Sequence, residues 1–249
     1  MLQGSILEQR LKEILRIWVN PCLKPLGFRK CAFTYSRPTD EMWWVVNVQR
    51  SMWNTYEQCA FTVNLGVYVP KGSAVAFGRE PRHPAIAYCV LHARLGELVE
   101  GRDEWWTIRV DDAHPAQVDN TIGQQLASFL NTHGLPFLRR FQSLRDVLNY
   151  LKESPTRDSR GVVWPVPDGY WSFAYIGILY WLLGEHELCC EMLRHAVEEA
   201  RRSRVEGLSE MAQSLYARLC LEGDTEATPG RPRAPLGRIG AWSGRSSAW

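Results

Sequence analysis

The sequence predicts an α+β fold, in which an antiparallel sheet of about five strands is packed by an N-terminal helix and following helices. Three runs rich in β-branched and aromatic residues, at 28–35, 43–51 and 61–68, predict a meander because polar, turn-prone residues separate them. A helical spacing of apolar residues precedes this meander. The spacing of apolar residues becomes helical again from Pro115. A C-terminal helical hairpin is predicted to extend the fold.

The first element is predicted to be an amphipathic helix of about four turns. Ser5 and Glu8 have the spacing of a capping box, and Pro21 and Pro25 are expected to end the helix. One face carries the apolar stripe Leu7, Leu11, Ile14, Leu15 and Trp18. We therefore expect this helix to cover the apolar face of the sheet.

The second and third strands are predicted to have one apolar and one amide-lined face, because alternate side chains of a strand point to opposite sides. Pairing through the intervening loop places Asn47 opposite Asn64 and Gln49 opposite Thr62. Two interpretations remain open. The amide face is either the solvated side of a half-buried sheet or a recognition surface, on which Gly66 permits close approach to the backbone.

The chain after the meander is predicted to begin with a loop over residues 70–84. A fourth strand over residues 86–94 and a fifth over residues 104–110 follow. Helices are then expected from Pro115 to before Gly134, after Pro136, and from a start at Ser143.

Six short phrases follow one another along the chain: Leu23-Lys-Pro-Leu-Gly-Phe28, Val46-Asn-Val-Gln-Arg-Ser51, Phe61-Thr-Val-Asn-Leu-Gly-Val67, Arg94-Leu-Gly-Glu97, Asp103-Glu-Trp-Trp106 and Leu135-Pro-Phe137. In this order they resemble those of the bacterial domain-of-unknown-function family 4304, over about residues 5–152. The resemblance implies an α+β domain with a curved antiparallel sheet. It brings no established activity and no catalytic residue.

Four segments are predicted: a sheet domain at 1–152, a linker at 153–169, a helical extension at 170–222 and a disordered tail at 223–249. The linker contains Pro155, Pro165 and Pro167, and the tail is dominated by Gly, Pro, Arg and Ser. The phrase at 182–190, with Ala196 and Ala200, is similar to the turn of a tetratricopeptide helical hairpin. One hairpin and a half does not make a repeat array.

Charge and cysteine usage indicate a cytoplasmic protein with no membrane association. The net charge is +2, and the tail carries four of the arginines, so the neutral remainder argues against nucleic-acid binding. The seven cysteines form no C-x-x-C motif and are interpreted as reduced thiols. No secretory signal opens the chain, and the longest apolar stretch, residues 173–183, is too short to span a bilayer.

No cofactor, metal or catalytic residue is predicted. His186, Cys189 and Cys190 have spacings that a metal could use, but no second cluster completes four ligands. A polar group of Arg50, His92, Arg94, Glu97, Asp103 and Glu104 lies beside Trp105 and Trp106 in the predicted sheet. Its simplest explanation is a structural ion pair of Arg94 with Glu97 or Asp103.

Two hypotheses of function follow. The first is a non-catalytic module that binds a protein or small ligand, in the manner of an immunity or defence accessory, and it predicts that Trp43, Trp53 or Trp105 is exposed. Its candidate residues are Asn47, Gln49, Arg50, Thr62, Asn64, His92, Arg94, Glu97, Trp105 and Trp106. The alternative is a hydrolase acting on an anionic substrate, which requires Arg50, His92, Arg94 and Glu97 to converge in one site.

Overall fold

The sheet of the protein has seven antiparallel strands, in a computed structural model that describes residues 2–78, 84–153, 163–164, 169–203 and 205–222. The strands are β1 (Arg29–Cys31), β2 (Thr34–Pro38), β3 (Trp43–Arg50), β4 (Gln58–Tyr68), β5 (Leu91–Arg94), β6 (Trp106–Arg109) and β7 (Val163–Trp164). Their order is β1-β2-β3-β4-β5-β7, and β6 pairs with the first half of β4. The eleven-residue β4 is the central strand, since it pairs with β3, β5 and β6.

Ten α-helices accompany the strands among the described residues. They are α1 (Leu2–Ile14), α2 (Asn20–Leu23), α3 (Pro70–Phe77), α4 (Leu95–Glu100), α5 (Pro115–Phe129), α6 (Leu135–Arg139), α7 (Leu144–Lys152), α8 (Tyr170–Leu182), α9 (His186–Arg202) and α10 (Leu208–Tyr216). Three π turns, Leu15–Val19, Leu130–Gly134 and Ala217–Leu221, continue α1, α5 and α10. The predicted α+β class and antiparallel sheet are confirmed. No helix in the described part of the chain has the length and apolar character that crossing a membrane requires.

The N-terminal helix covers the sheet as predicted, and the helical run ends just after Pro25, in the 3-10 turn Lys24–Leu26. Its predicted start at Ser5 and the predicted stop at Pro21 were wrong. Ser5 lies inside α1 rather than at its start, and Glu8 pairs with Lys12 and Arg50 instead of capping the helix. Pro21 does not end the helical segment. It follows the π turn and lies in the first turn of α2, where a missing backbone N–H is tolerated.

Three further expectations about elements were wrong. The first predicted strand is a hairpin of β1 and β2, which turns at Ala32 with a positive φ of 52°. The predicted loop after β4 contains α3, which begins at Pro70. The predicted linker contributes β7, which pairs with β5 and so extends the sheet. The rest of that linker, at 154–162 and 165–168, and the predicted tail lie outside the described residues.

The core lies between the apolar face of the sheet and the helices. The side chains that β3 and β4 send to this face, Trp44, Val46, Val48, Phe61, Val63, Leu65 and Val67, are all buried and belong to one cluster with residues of α1, α5, α6, α7, α8 and α9. Helix α8 contacts α3, α7 and α9. The C-terminal helices therefore share the core of the sheet domain.

Candidate binding surface

The amide-lined face of β3 and β4 is formed with the predicted register. Asn47 lies opposite Asn64, and Gln49 lies opposite Thr62. This face points away from the helix-covered core, because the residues between these positions are the buried apolar ones. The alternation along β3 and β4 therefore positions the amides on the opposite side of the sheet.

Hydrogen bonds join the amides into one network. Asn64 Nδ2 donates to Gln49 Oε1 at 2.9 Å and to Asn47 Oδ1 at 3.5 Å, and Asn47 Nδ2 donates to Thr34 Oγ1 at 2.9 Å. Asn64 is buried, Asn47 is half-buried and Gln49 is exposed. The network therefore has a buried floor at Asn64 and an accessible rim at Gln49 and Asn47.

Two positions of the amide face serve the fold itself. Thr62 is fully buried, and its Oγ1 donates to the carbonyl of Glu104 at 2.8 Å. Gly66 is approached by its own chain, since a Cβ there would lie 2.6 Å from Cys89 Sγ and 2.7 Å from Ile86 Cδ1. The close approach predicted at Gly66 therefore packs the segment before β5 against the sheet.

Strand β5 brings His92 and Arg94 to the same face, because His92 pairs with Gly66 and Arg94 with Asn64. Arg94 forms an ion pair with Asp103, and its guanidinium carbon lies 5.3 Å from the ring centroid of Trp105. The Trp105 indole N–H also donates to Asp103, at 2.8 Å. The predicted ion pair of Arg94 is thus confirmed with Asp103 as the partner.

Glu97 has a structural role beside this pair. Its carboxylate accepts from the backbone N–H of Arg94 at 3.4 Å, as part of a capping box at the start of α4. Burial raises the pKa of Glu97 above its usual value. The carboxylate therefore helps to define the junction between β5 and α4.

Arg50 and Trp106 do not join the other candidates. Arg50 shares the apolar side of β3, donates to Glu8 Oε2 at 3.0 Å and lies 5.0 Å from the ring centroid of Phe33. Trp106 is 4% exposed in the core, and its Nε1 donates to Gln125 Oε1. The convergence of Arg50 with His92, Arg94 and Glu97 that the hydrolase hypothesis requires is not formed.

His92 and three of the buried cysteines are poorly suited to catalysis near neutral pH. Burial, together with the charge of Arg94, lowers the pKa of His92 from 6.5 to about 4, which makes it a weak base. Burial raises the pKa of Cys59 and Cys89, and raises that of Cys189 to about 11, so these thiols are protonated rather than nucleophilic.

The lowered pKa of His92 predicts a loss of stability in acid. The unfolded chain binds a proton at His92 below pH 6.5, whereas the folded chain binds it only near pH 4, so stability falls as the pH decreases through this window. The full shift from 6.5 to about 4 corresponds to roughly 3 kcal/mol, and the partial solvent exposure of His92 reduces the expected loss to about 1–2 kcal/mol. Urea denaturation at a series of pH values measures this loss of unfolding free energy, and the His92→Gln variant should not show it. An equal acid loss in both proteins would contradict the assignment.

The loop between β3 and β4, residues 51–57, is here called the hairpin tip. It exposes three large side chains, Met52 at 69%, Trp53 at 79% and Tyr56 at 61%. Of the three tryptophans that the binding hypothesis expected to be exposed, Trp53 is exposed, whereas Trp43 and Trp105 are half-buried. The sequence showed a loop with aromatic residues here, but their common exposure required the structure.

Hydrogen bonds hold the backbone of the hairpin tip. Asn54 clamps Ala60 on both sides, accepting from its N–H at 2.7 Å and donating to its carbonyl at 2.9 Å. Ser51 Oγ accepts from the N–H of Trp53 at 3.1 Å, and Thr55 Oγ1 accepts from the N–H of Glu57 at 3.1 Å. The exposed aromatic residues are thus displayed on a preformed loop.

Comparison with known proteins identifies one family and gives no activity. Residues 19–140 match the family model described as "Domain of unknown function (DUF4304)", and this range contains β1 to β6, the amide face and the hairpin tip. No curated protein and no solved structure matches the chain. Over residues 19–140, slightly less than half of its length, the chain is therefore similar to the DUF4304 family.

Proposed function

We propose that the protein is a non-catalytic binding module whose partner is another protein. The observation that carries this proposal is the 79% exposure of Trp53 on a hairpin tip whose backbone is fixed by its own hydrogen bonds. Tryptophan is the residue type most enriched among binding hot spots, because it combines a large apolar surface with one N–H donor. A solvent-exposed indole contributes little to the folded monomer, and burial against a partner would stabilise a complex.

The preformed loop supports a specific interaction. Association must overcome the entropy of ordering the groups at the interface. The clamp by Asn54 reduces that cost, because the backbone of the hairpin tip is already ordered. Met52 and Tyr56 lie on the same short loop and add apolar area around Trp53. The partner is therefore expected to offer an apolar pocket that accepts an indole.

The amide face would supply a polar margin to this interface. Gln49 is exposed at the end of β3 that leads into the hairpin tip, and Asn47 is half-buried behind it. Asn64 donates hydrogen bonds to both of these side chains. Arg94 is paired with Asn64 across β5 and β4, and Trp105 lies beside its guanidinium. As part of this proposal, we place the module in the bacterial cytoplasm, as an immunity or defence accessory.

Substitution of Trp53 tests the proposal. Full-length wild-type protein and the Trp53→Ser variant are used as baits in a native lysate, and each protein that the wild type retains in stoichiometric amount is purified for titration. We expect Trp53→Ser to weaken binding by about tenfold or more, as loss of a hot spot does. The unfolding midpoint should be unchanged, because Trp53 is largely exposed.

A matched control distinguishes specific binding through Trp53 from nonspecific association through any exposed apolar side chain. Val205, in the connection between α9 and α10, is 64% exposed and lies outside the hairpin tip. Val205→Ser should therefore retain the partner with wild-type affinity. Equal affinity of Trp53→Ser and wild type for every retained protein would refute the proposed anchor.

A further inference from the structure

Three cysteine sulfur atoms meet in the C-terminal helices, outside the region that matches the family. Cys189 and Cys190 are neighbours on α9, and Cys220 lies in the π turn after α10. The three sulfurs all lie within 4.8 Å of one another. Cys190 and Cys220 form a disulfide with a Cα–Cα distance of 5.6 Å, so the expectation that all seven cysteines are thiols was wrong.

Packing of α8, α9 and α10 determines this arrangement. Cys189 is fully buried on the side of α9 that faces α8, where Gly177 allows close contact with Leu193 and with the carbonyl of Cys189. Cys190 and Cys220 are half-buried between α9 and the π turn. Such π turns recur at functional sites. The cluster therefore has one inner and two outer sulfurs on elements that pack together.

The sulfur of Cys189 lies beside the disulfide but is not part of it. A disulfide requires two cysteines, yet Cys189 lies close enough to share one ion with both of the others. Thiolates bind Zn²⁺ at about 2.3 Å, a geometry that separates neighbouring sulfurs by about 4 Å. The Cys189 sulfur already lies within 4.8 Å of the other two, and reduction of the disulfide would free Cys190 and Cys220 to separate from each other.

We infer that the reduced forms of Cys189, Cys190 and Cys220 constitute a three-thiolate site for a soft, thiophilic cation of the copper(I) class. The group contains no His, Asp or Glu, so its donor set is entirely soft sulfur, which selects Cu(I) over hard cations. Zn²⁺ in a closed site takes four ligands, whereas Cu(I) is satisfied by three thiolates. The candidate His186, which the sequence placed beside Cys189 and Cys190, is replaced by Cys220.

Metal binding and the disulfide exclude each other. Two electrons from a reductant break the bond between Cys190 and Cys220 and, with two protons, give two thiols. When the reductant is a phosphine, water supplies the oxygen and the protons, and the phosphine oxide is the second product. Cu(I) then displaces one proton from each of the three thiols, since only thiolates bind the metal.

Competition for Cu(I) tests the site. Full-length protein is reduced with a phosphine under anaerobic conditions and titrated with Cu(I) against a chromogenic Cu(I) chelator. We expect one tightly bound equivalent per reduced chain and none at this site when the disulfide is intact. Cys189→Ser should weaken binding by more than about 100-fold, because even substitutions outside the ligand shell cost roughly 10- to 100-fold.

Two controls separate a metal site from structural packing. Cys189→Ser retains Cys190 and Cys220, so its disulfide should form under oxidising conditions as in the wild type, which mass spectrometry of digested protein verifies. Cys22→Ser removes a free, half-buried cysteine elsewhere and should bind Cu(I) normally. Tight binding by Cys189→Ser equal to that of the wild type, or no tight equivalent in the reduced wild type, would overturn the inference.

Discussion

Replacement of Gly96 by alanine is expected to destabilise the protein by about 3 kcal/mol, the upper end of the range for an overpacked site. A Cβ at position 96 would lie 2.4 Å from Cβ of Glu104 and 2.7 Å from its backbone nitrogen. Side-chain rotation relieves neither contact, because the backbone fixes the position of Cβ as well as that of the nitrogen, so the backbone must move. The loop before β6 would therefore have to withdraw from α4.

Two sets of hydrogen bonds oppose that withdrawal. Thr62 Oγ1 donates to the carbonyl of Glu104, and Trp106, two residues later, is paired with Phe61 in the sheet. The same loop carries Asp103 and Trp105, which hold Arg94. We therefore expect Gly96→Ala to lower the urea midpoint with an unchanged m-value, and to disturb the side of the amide face where Arg94 lies.

Gly72 in α3 provides the matched control. Its added Cβ would meet Val69 at 3.4 Å and Ile178 at 3.6 Å, which are ordinary contacts. Alanine is favoured over glycine in a helix by up to about 1 kcal/mol. Gly72→Ala should therefore be neutral or mildly stabilising. If Gly96→Ala unfolds at the wild-type midpoint, the close approach of Glu104 has no energetic significance.

The pairing of β3 with β4 was predictable because period-two alternation sets its register. A shift by one residue would place Asn47 and Gln49 in the core and expose Val46 and Val48, so only one register buries the apolar set. The same alternation places Arg50 on the apolar side of β3, because Arg50 lies two residues after Val48. The hydrolase hypothesis, which requires Arg50 to converge with His92, did not take this alternation into account.

Features that depend on distant contacts were not predictable from local pattern. Thr62 becomes buried because Glu104 accepts its hydrogen bond, and the two residues are 42 positions apart in the chain. The turn at Ala32 requires a positive φ that alanine rarely adopts, so no local residue pattern indicated that the first strand is divided. Cys220 meets Cys190 only through the packing of α10 on α9, because 30 residues separate them.

The second large effect is expected from Arg10, which joins α1 to the connection between β6 and α5. Its guanidinium binds Asp119 through Nη2 at 2.7 Å and Nε at 3.1 Å, binds Asp112 at 2.8 Å, and donates to the carbonyl of Arg109. The side chains of Arg10 and Asp112 are only 14% and 13% exposed. Arg10→Met keeps most of the aliphatic stem but leaves two carboxylates without their shared cation. We expect a loss of about 2 kcal/mol, less than for a fully buried pair.

An exposed ion pair on the same helical segment supplies the control. Arg16 bonds to Glu13 three residues earlier, with side chains 64% and 52% exposed. Water screens such a pair, so Arg16→Met should leave the free energy of unfolding nearly unchanged. Equal losses for Arg10→Met and Arg16→Met would show that the three-residue network around Arg10 adds nothing to an ordinary surface pair.

The pH dependence of the Arg10→Met deficit distinguishes charge from packing. Burial acts to raise the pKa of Asp112, but the N–H of Arg109 and the side chain of Arg10 outweigh it, so the pKa lies below the usual 3.8. A carboxylate whose folded pKa is depressed stabilises the fold above its unfolded pKa, and this stabilisation disappears as the pH falls through the folded value. The deficit measured by urea denaturation should therefore be largest near neutral pH and should shrink below about pH 4. A deficit that is the same at pH 3 and pH 7 would assign the loss to packing of the arginine stem, because packing does not titrate.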